Sequence, residues 1–308
     1  MSKVESQSHP NPPNLHTGHQ SPQQDFSRYE HLISRHPRPS THEKILAAIA
    51  VFTDREYAFD PCGDGPVSDI DHRQQLCTRR FDCMTFCNIV LALIHSETCT
   101  ALIENHINIR YINRDQRYFF RHHFIETTWT QHNRQQQYLA GPISSQLSLS
   151  SPKTSNFTFN YPAWINYQKT YIEKTFNTPF DPSLHSVPDL YNTSLNTPIE
   201  YIPIEQLVSD DGVVNTQRLH QIPPGCIMQL ICADWDPSSQ PSIPKRMLQI
   251  ATHIAVIHLG FITKPNTHLV FSHANIGNRV TSIALDAYLL YIRRELPYIN
   301  GIFLEGIA

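Results

Sequence analysis

Charge is scarce in this sequence. Asp, Glu, Lys and Arg make up only 17% of its 308 residues, and the formal net charge is −3. No broad basic field is expected, so no nucleic acid partner is expected either. No stretch is long and apolar enough to span a bilayer, so no membrane span is expected. The opening segment MSKVESQSHPNPPNLHTGHQ has no apolar core and does not read as a secretory signal. The chain is therefore expected in the cytosol, exported by a route that needs no such signal, or processed to a periplasmic form. No CxxC pair occurs among the seven cysteines, Cys62, Cys77, Cys83, Cys87, Cys99, Cys226 and Cys232, which argues against a zinc knuckle. Their odd number excludes a fully paired intrachain disulfide framework. No internal repeat is visible.

Asn, Gln, Thr, Ser and His supply much of the polarity instead. The 18 histidines are scattered, as expected of surface or hydrogen-bonded residues. Residues 1 to about 40 are rich in Pro, His, Gln and Ser and are expected to form a mobile tail. Residues 41–308 are expected to form a single domain. Within it, 141–200 is rich in Ser, Thr, Asn and Pro with scattered aromatics and reads as a wrapping insertion. EKILAAIAVF, from Glu43 to Phe52, reads as an amphipathic helix, and a loop, PCGDGPVSD, follows. From Met84 to Ile94 apolar residues occupy nearly every helical face, which predicts a buried helix. Asp82 is placed to cap it, and Cys83 falls in its first turn. Residues 105–139 read as a strand and a helix. Beyond about residue 224 the pattern is β, with CIMQLICA, then HIAVIHLGFIT and THLVFSHA as a hairpin about a Lys-Pro-Asn turn. A helix over Leu285–Arg293 and a strand, GIFLEGI, close the chain. Helices first and an antiparallel sheet after make an α+β fold.

A thiol attacks as thiolate, and a helix N-terminus favours that anion while offering backbone N–H groups to an oxyanion. Cys83 has that position, although a Cys at the start of a buried helix is more often a small packing residue. The base must come from elsewhere. His253 and His258 are an odd number of residues apart, so on one strand they face opposite sides. A turn centred on Pro265 and Asn266 pairs His258 with His273 across the hairpin and leaves His253 opposite Asn278. His258 is therefore the favoured base and His273 its orienting partner. Cys83 and Cys87 could share a metal, as could His122, His123 and His132. Adjacent histidines on a helix point apart, so no metal and no cofactor is expected.

The residues FDCMTF around Cys83, HLGFI from His258 and SHA at His273 occur in an order that resembles the N-acetylmuramoyl-L-alanine amidase-like branch of the NlpC-type cell-wall amidases. Arg121, His123, Phe124, Trp129 and Asn133 match that family's R-x-HF, W and N pattern, and Tyr57 stands where it has a site tyrosine. The resemblance spans about residues 45–308. The sequence departs from the family at Cys87-Asn88 after TF, at Ile257 before the histidine and at Asn275 after HA. The resemblance implies a papain-like, NlpC-type fold, its Cys-bearing helix packed on an antiparallel sheet, and a muropeptide substrate. Cys83 would attack the lactyl carbonyl, His258 would carry the proton and His273 would hold the tautomer. Tyr57, Asp82, Arg121, His123 and Trp129 would bind the oxyanion or substrate, with Arg121 and His123 equally able to hold the cleft wall. A peptidoglycan endopeptidase, an acyltransferase or a protein deamidase would use the same acyl-enzyme logic. A non-catalytic binding module presenting the aromatic segment 111–138 is the other class.

Overall fold

In the computed structural model, residues 21–144, 147, 152–181, 185–233 and 253–308 are described. The first helix, α1 (Pro22–Ile33), lies in the stretch expected as a tail. Ser21 and Gln24 form a capping box, Pro22 sits at the first turn, and Phe26 and Tyr29 are buried. The capping chemistry and two aromatics on one face outweigh the polar composition, so a helix forms within this stretch. α2 (Thr41–Phe52) packs on α1 and contains the amphipathic segment read from sequence.

Two short strands, β1 (Glu56–Tyr57) and β2 (Arg80–Phe81), pair in parallel and bring the chain to α3 (Cys83–Ile94). Asp82 caps α3 through a capping box with Thr85, and the helix is buried from Thr85 to Ile94. α4 (Cys99–Arg110) packs against α3 and takes in HINIR, at the start of the stretch 105–139 read as a strand and a helix. No strand forms there, because His106, Ile109 and Arg110 turn inward at helical spacing. A π-helical turn (Ile125–Trp129) then leads into α5 (Thr130–Gln135).

One eight-stranded sheet takes up the rest. It comprises β3 (Leu139–Pro142), β4 (Lys153–Phe159), β5 (Leu195–Pro203), β6 (Cys226–Ile231), β7 (Val256–Thr263), β8 (Val270–Ala274), β9 (Val280–Ala284) and β10 (Gly301–Ile307). Between β4 and β5 runs α6 (Tyr161–Phe176), between β5 and β6 the single turn α7 (Thr216–Leu219), and between β9 and β10 the helix α8 (Leu285–Glu295). The order is β4-β5-β10-β6-β7-β8-β9, with β3 also on β10, and every pairing is antiparallel. Residues 141–200, expected as a wrapping insertion, thus supply strands to the sheet itself. Alternating Phe157 and Phe159 on β4 pack in the main core, which drives this stretch into the sheet.

Both faces of the sheet are covered. On β6, Ile227 and Ile231 join the core formed with α1 to α4, while Met228 and Leu230 join a second core under α8. β6 is therefore buried throughout and reads as a nearly continuous apolar run.

Candidate active site

Cys83 is the first residue of α3 and is only partly buried, whereas Cys87 one turn later is fully buried. The Asp82 carboxylate sets this helix start. Its Oδ1 accepts from the Thr85 N–H (2.7 Å) and hydroxyl (2.8 Å), and its Oδ2 accepts from the Asp60 N–H (2.9 Å). Burial pushes the Asp82 carboxyl up, against the pull of the Thr85 bonds.

His258 and His273 lie on β7 and β8. The His258 Nε2 and the His273 Nδ1 are 2.6 Å apart, and both residues are buried. The register that joins them is not the one expected. Phe261 pairs with Ser272 and Thr263 with Val270, so the hairpin centre sits one residue later than Pro265-Asn266 and the two histidines are diagonal neighbours. A shift of one residue in the turn centre moves each partner by two, which keeps both side chains on one face. The β7–β8 ladder ends at Phe261–Ser272, and the histidines lie just past it.

A bulge also separates His258 from its upstream neighbours. Leu230 pairs with His258 but Ile231 pairs with Val256, so Ile257 is the extra residue. His253 precedes β7, and its Nδ1 accepts from the Thr158 N–H at the far edge of the sheet (3.0 Å). Strand alternation therefore does not govern His253.

By pairing, His258 shares the face of Leu230, opposite Phe261, on which α3 packs through Phe86 (rings 5.9 Å apart). The N-terminus of α3 is linked to the histidine side through Tyr288 of α8. The Tyr288 ring is 5.2 Å from that of His273, and its phenol, pushed up chiefly by burial, also feels the charge of a Cys83 thiolate. Burial lowers His273 from 6.5 to about 4, so it is neutral near pH 7. Phe271 stacks on His273 at 4.8 Å and fixes its plane.

Next to this region lies a cavity of about 460 Å³. Asp82, Met84 and Thr85 line it from around Cys83, and Val256 and Ile257 line it from beside His258. Its opposite wall is α6, where Trp164, Tyr167, Gln168 and Tyr171 follow the i, i+3, i+4, i+7 spacing of one helical face. This wall went unread in the sequence, although that spacing is legible in WINYQKTY.

Arg121 also borders the cavity, held by the protein itself. Its Nε donates to Asp64 (2.6 Å), its Nη2 to Asp71 (2.6 Å) and its Nη1 to Asp60 (3.2 Å). Arg73 binds Asp71 through Nε (2.8 Å) and Nη2 (2.7 Å), and Arg110 lies 3.6 Å from Asp60. Asp64 within the PCGDGPVSD loop, and Asp60 and Asp71 on either side of it, thus neutralise three arginines. The loop fits only because Gly63 has no side chain: a Cβ there would lie 2.4 Å from the Arg73 carbonyl oxygen. Nε, Nη1 and Nη2 of Arg121 each donate to an aspartate.

His123 donates through Nε2 to the Tyr118 carbonyl (2.9 Å), with its ring 4.8 Å from Trp164. Tyr57 is partly buried on β1, and its N–H donates to the Asn278 carbonyl (2.9 Å). Trp129 is fully buried and does not reach the cavity. The resemblance has Trp129 binding the oxyanion or substrate; here its Nε1 donates to Asn88 on α3 (2.8 Å). Among the described residues no group of three His, Cys, Asp or Glu side chains is arranged to hold a metal ion. His122 and His132 do approach, with rings 4.5 Å apart, but His123 turns away to Tyr118.

A family model described as AmiA-like, N-acetylmuramoyl-L-alanine amidase-like, matches residues 49–298. The chain belongs to this family. Among solved structures, a Legionella pneumophila protein of the family-model DUF1460 superposes with a TM-score of 0.75 at 23% identity, covering 92% of this chain and 93% of its own. An N-acetylmuramoyl-L-alanine amidase from Bacteroides uniformis superposes with a TM-score of 0.57 at 17% identity, covering 87% of this chain and 99% of its own. These likenesses show a shared fold. No curated protein matches the chain. No helix among the described residues of this amidase-like chain is long and apolar enough to cross a membrane.

Proposed function

We propose that this member of the amidase-like family is a papain-like, NlpC-type cysteine amidase that hydrolyses the amide between N-acetylmuramic acid and L-alanine in muropeptides. The observation that carries the reading is the 2.6 Å contact between His258 Nε2 and His273 Nδ1, on strands against which the Cys83-bearing α3 packs. A neutral His273 accepts the Nε2 proton of His258 through Nδ1. That bond holds His258 in the tautomer whose Nδ1 can take the proton of the Cys83 thiol. The thiolate attacks the lactyl carbonyl, and the N–H groups of the first turn of α3 face the developing oxyanion. His258 then passes its proton to the leaving alanine amine, and water releases the acyl group by the reverse sequence.

Mass spectrometry of defined muropeptides tests the reading. Wild type should release free stem peptide and intact N-acetylmuramic acid, and Cys83→Ala should release neither. Cleavage within the stem peptide would instead identify an endopeptidase on the same acyl-enzyme chemistry.

A further inference from the structure

At the upstream end of β7 a side chain takes the place of a neighbouring strand. Ala255 is fully buried, and its carbonyl accepts from the Cys232 N–H (2.8 Å), just beyond the β6–β7 ladder. On the other side of β7, the β8 ladder stops at Phe261–Ser272 and offers Ala255 nothing. A buried N–H without an acceptor is costly. The acceptor here is Glu126, distant in the chain, whose Oε1 lies 3.0 Å from the Ala255 nitrogen. The Val256 N–H bonds the same carboxylate.

Glu126 is a costly choice for this task. Burial pushes its carboxyl up to about 7, against the pull of its own N–H and those of Ala255 and Val256, and no cation among the described residues pairs with it. Tyr161, which feels its charge, is itself raised to about 12 by burial and stays neutral. Carboxyls perturbed in this way concentrate at functional sites. So do π-helical turns, and Glu126 lies in one, Ile125–Trp129, where the Trp129 N–H reaches back to the Phe124 carbonyl (3.0 Å). From the same turn, Trp129 Nε1 donates to Asn88 on α3, and Thr127 accepts from the Tyr161 hydroxyl (2.9 Å). One turn thus bonds both to the helix that begins with Cys83 and to the chain just before His258.

The anchored position matters because a bulge follows it. Val256 pairs with Ile231 and His258 with Leu230, with Ile257 as the extra residue. A slip of one residue in such a register turns a side chain to the opposite face of the sheet. The ladder from His258 onward holds one side of the bulge, and the two bonds of Ala255 hold the other. We propose that Glu126 is a positioning residue: by holding the Ala255 N–H it fixes the Ile257 bulge, and with it the direction of the His258 imidazole toward Cys83. It touches no reacting atom. The assignment rests on the reading of Cys83 as nucleophile and His258 as base.

Glu126→Leu, Glu126→Gln and Tyr161→Phe test it in the full chain, at folded concentrations matched by thermal melts. Two quantities are read: kcat and KM on a defined muropeptide, and the rate at which iodoacetamide labels Cys83, followed by peptide mass spectrometry. Glu126→Leu should lower kcat and the labelling rate by roughly ten- to a hundredfold, the scale of a reacting group displaced by about 1 Å, with KM unchanged. Glu126→Gln should restore most of both, because its amide oxygen still accepts the Ala255 N–H. Tyr161→Phe frees the same turn from α6 without touching the anchor and should behave like wild type. If Glu126→Leu does not fold, Glu126→Asp replaces it: the charge stays but is withdrawn by one methylene, so the loss should appear there and not in Glu126→Gln. Wild-type rates in the folded Leu or Asp variant, a loss carried by KM, a Gln variant as damaged as Leu, or an equal loss in Tyr161→Phe would each overturn the assignment. The labelling arm needs no muropeptide. Slow labelling in Glu126→Leu beside a wild type that labels fast but cleaves no muropeptide sinks only the amidase. Cleavage at equal rates by both sinks only the positioning role.

Discussion

The His258–His273 pair and the Arg121 cluster are both buried, both polar and both assembled from distant segments, yet they tolerate burial in opposite ways. The imidazoles carry no net charge. Burial lowers His273 to about 4, so one hydrogen bond serves both rings and a proton can still be gained. The Arg121 cluster keeps full charges and cancels them pairwise, with Asp71, which burial alone would raise, drawn down to about 2 by Arg73 and Arg121. His273 therefore stays neutral down to about pH 4, whereas Asp71 stays charged down to about pH 2.

The sharpest way to separate them is to break each and read both activity and stability. Cys83→Ala and His258→Ala should lower muropeptide turnover by at least about a thousandfold with little change in unfolding free energy. Cys83 should also alkylate with iodoacetamide much faster than Cys62 or Cys226, whose thiols burial pushes up to about 11 and about 12. Equal labelling rates would remove Cys83 as nucleophile. Arg121→Met should do the opposite. It leaves Asp64 and Asp71 buried with a partner missing, at a cost of about 3–5 kcal/mol in urea unfolding. Without Arg121 the Asp71 carboxyl titrates higher than in wild type, so this variant should gain stability relative to wild type as pH falls. If it unfolds like wild type but fails to bind substrate, Arg121 is a ligand and the cluster is not its partner.

A smaller effect is expected at His273. Replacement by Ala should lower turnover by between tenfold and the roughly 10⁴-fold that loss of an orienting residue can cost. Replacement by Asn or Gln should recover part of it, because an amide oxygen can still accept the His258 N–H. Turnover of the three variants at matched folded concentration decides this. Wild-type activity in His273→Ala would mean that another group orients His258.

The candidate-site half of this comparison was far more legible in the sequence than the charged cluster. Asp82 before an all-apolar helix announces a capped, buried α3, and β-rich runs around Lys264-Pro265-Asn266 announce the hairpin. The same reasoning missed the register by two residues, because turn composition does not encode which turn residues the ladder leaves out. It also gave His253 to the strand, since nothing in HIAVIH marks Ile257 as a bulge. The Arg121 cluster was not legible at all. Asp60, Asp64 and Asp71 look like loop punctuation until the fold places three guanidiniums against them. Trp129 shows the same limit: its motif position does not reveal the Asn88 partner on α3 that its indole N–H finds.

The finest test of the comparison is its pH dependence. His273 falls from 6.5 to about 4 on folding, because burial disfavours its charged form. Between those values the unfolded chain binds the extra proton and the folded chain does not. The contribution of His273 to stability is therefore complete above pH 6.5, shrinks as pH falls, and is exhausted below about 4. Asp71 is depressed from 3.8 to about 2, so its contribution is complete above 3.8 and is lost only as pH falls toward 2. Urea midpoints of wild type should thus decline in two successive windows, each of the order of 1–3 kcal/mol by linkage. His273→Asn should make the upper window shallower and leave the lower one, the remaining slope being that of His106, His122 and His123, which are lowered to about 3. Asp71→Asn should be less stable at neutral pH but flatter below pH 4. A His273→Asn curve as steep as wild type between pH 6.5 and 4 would assign that window wholly to those other histidines.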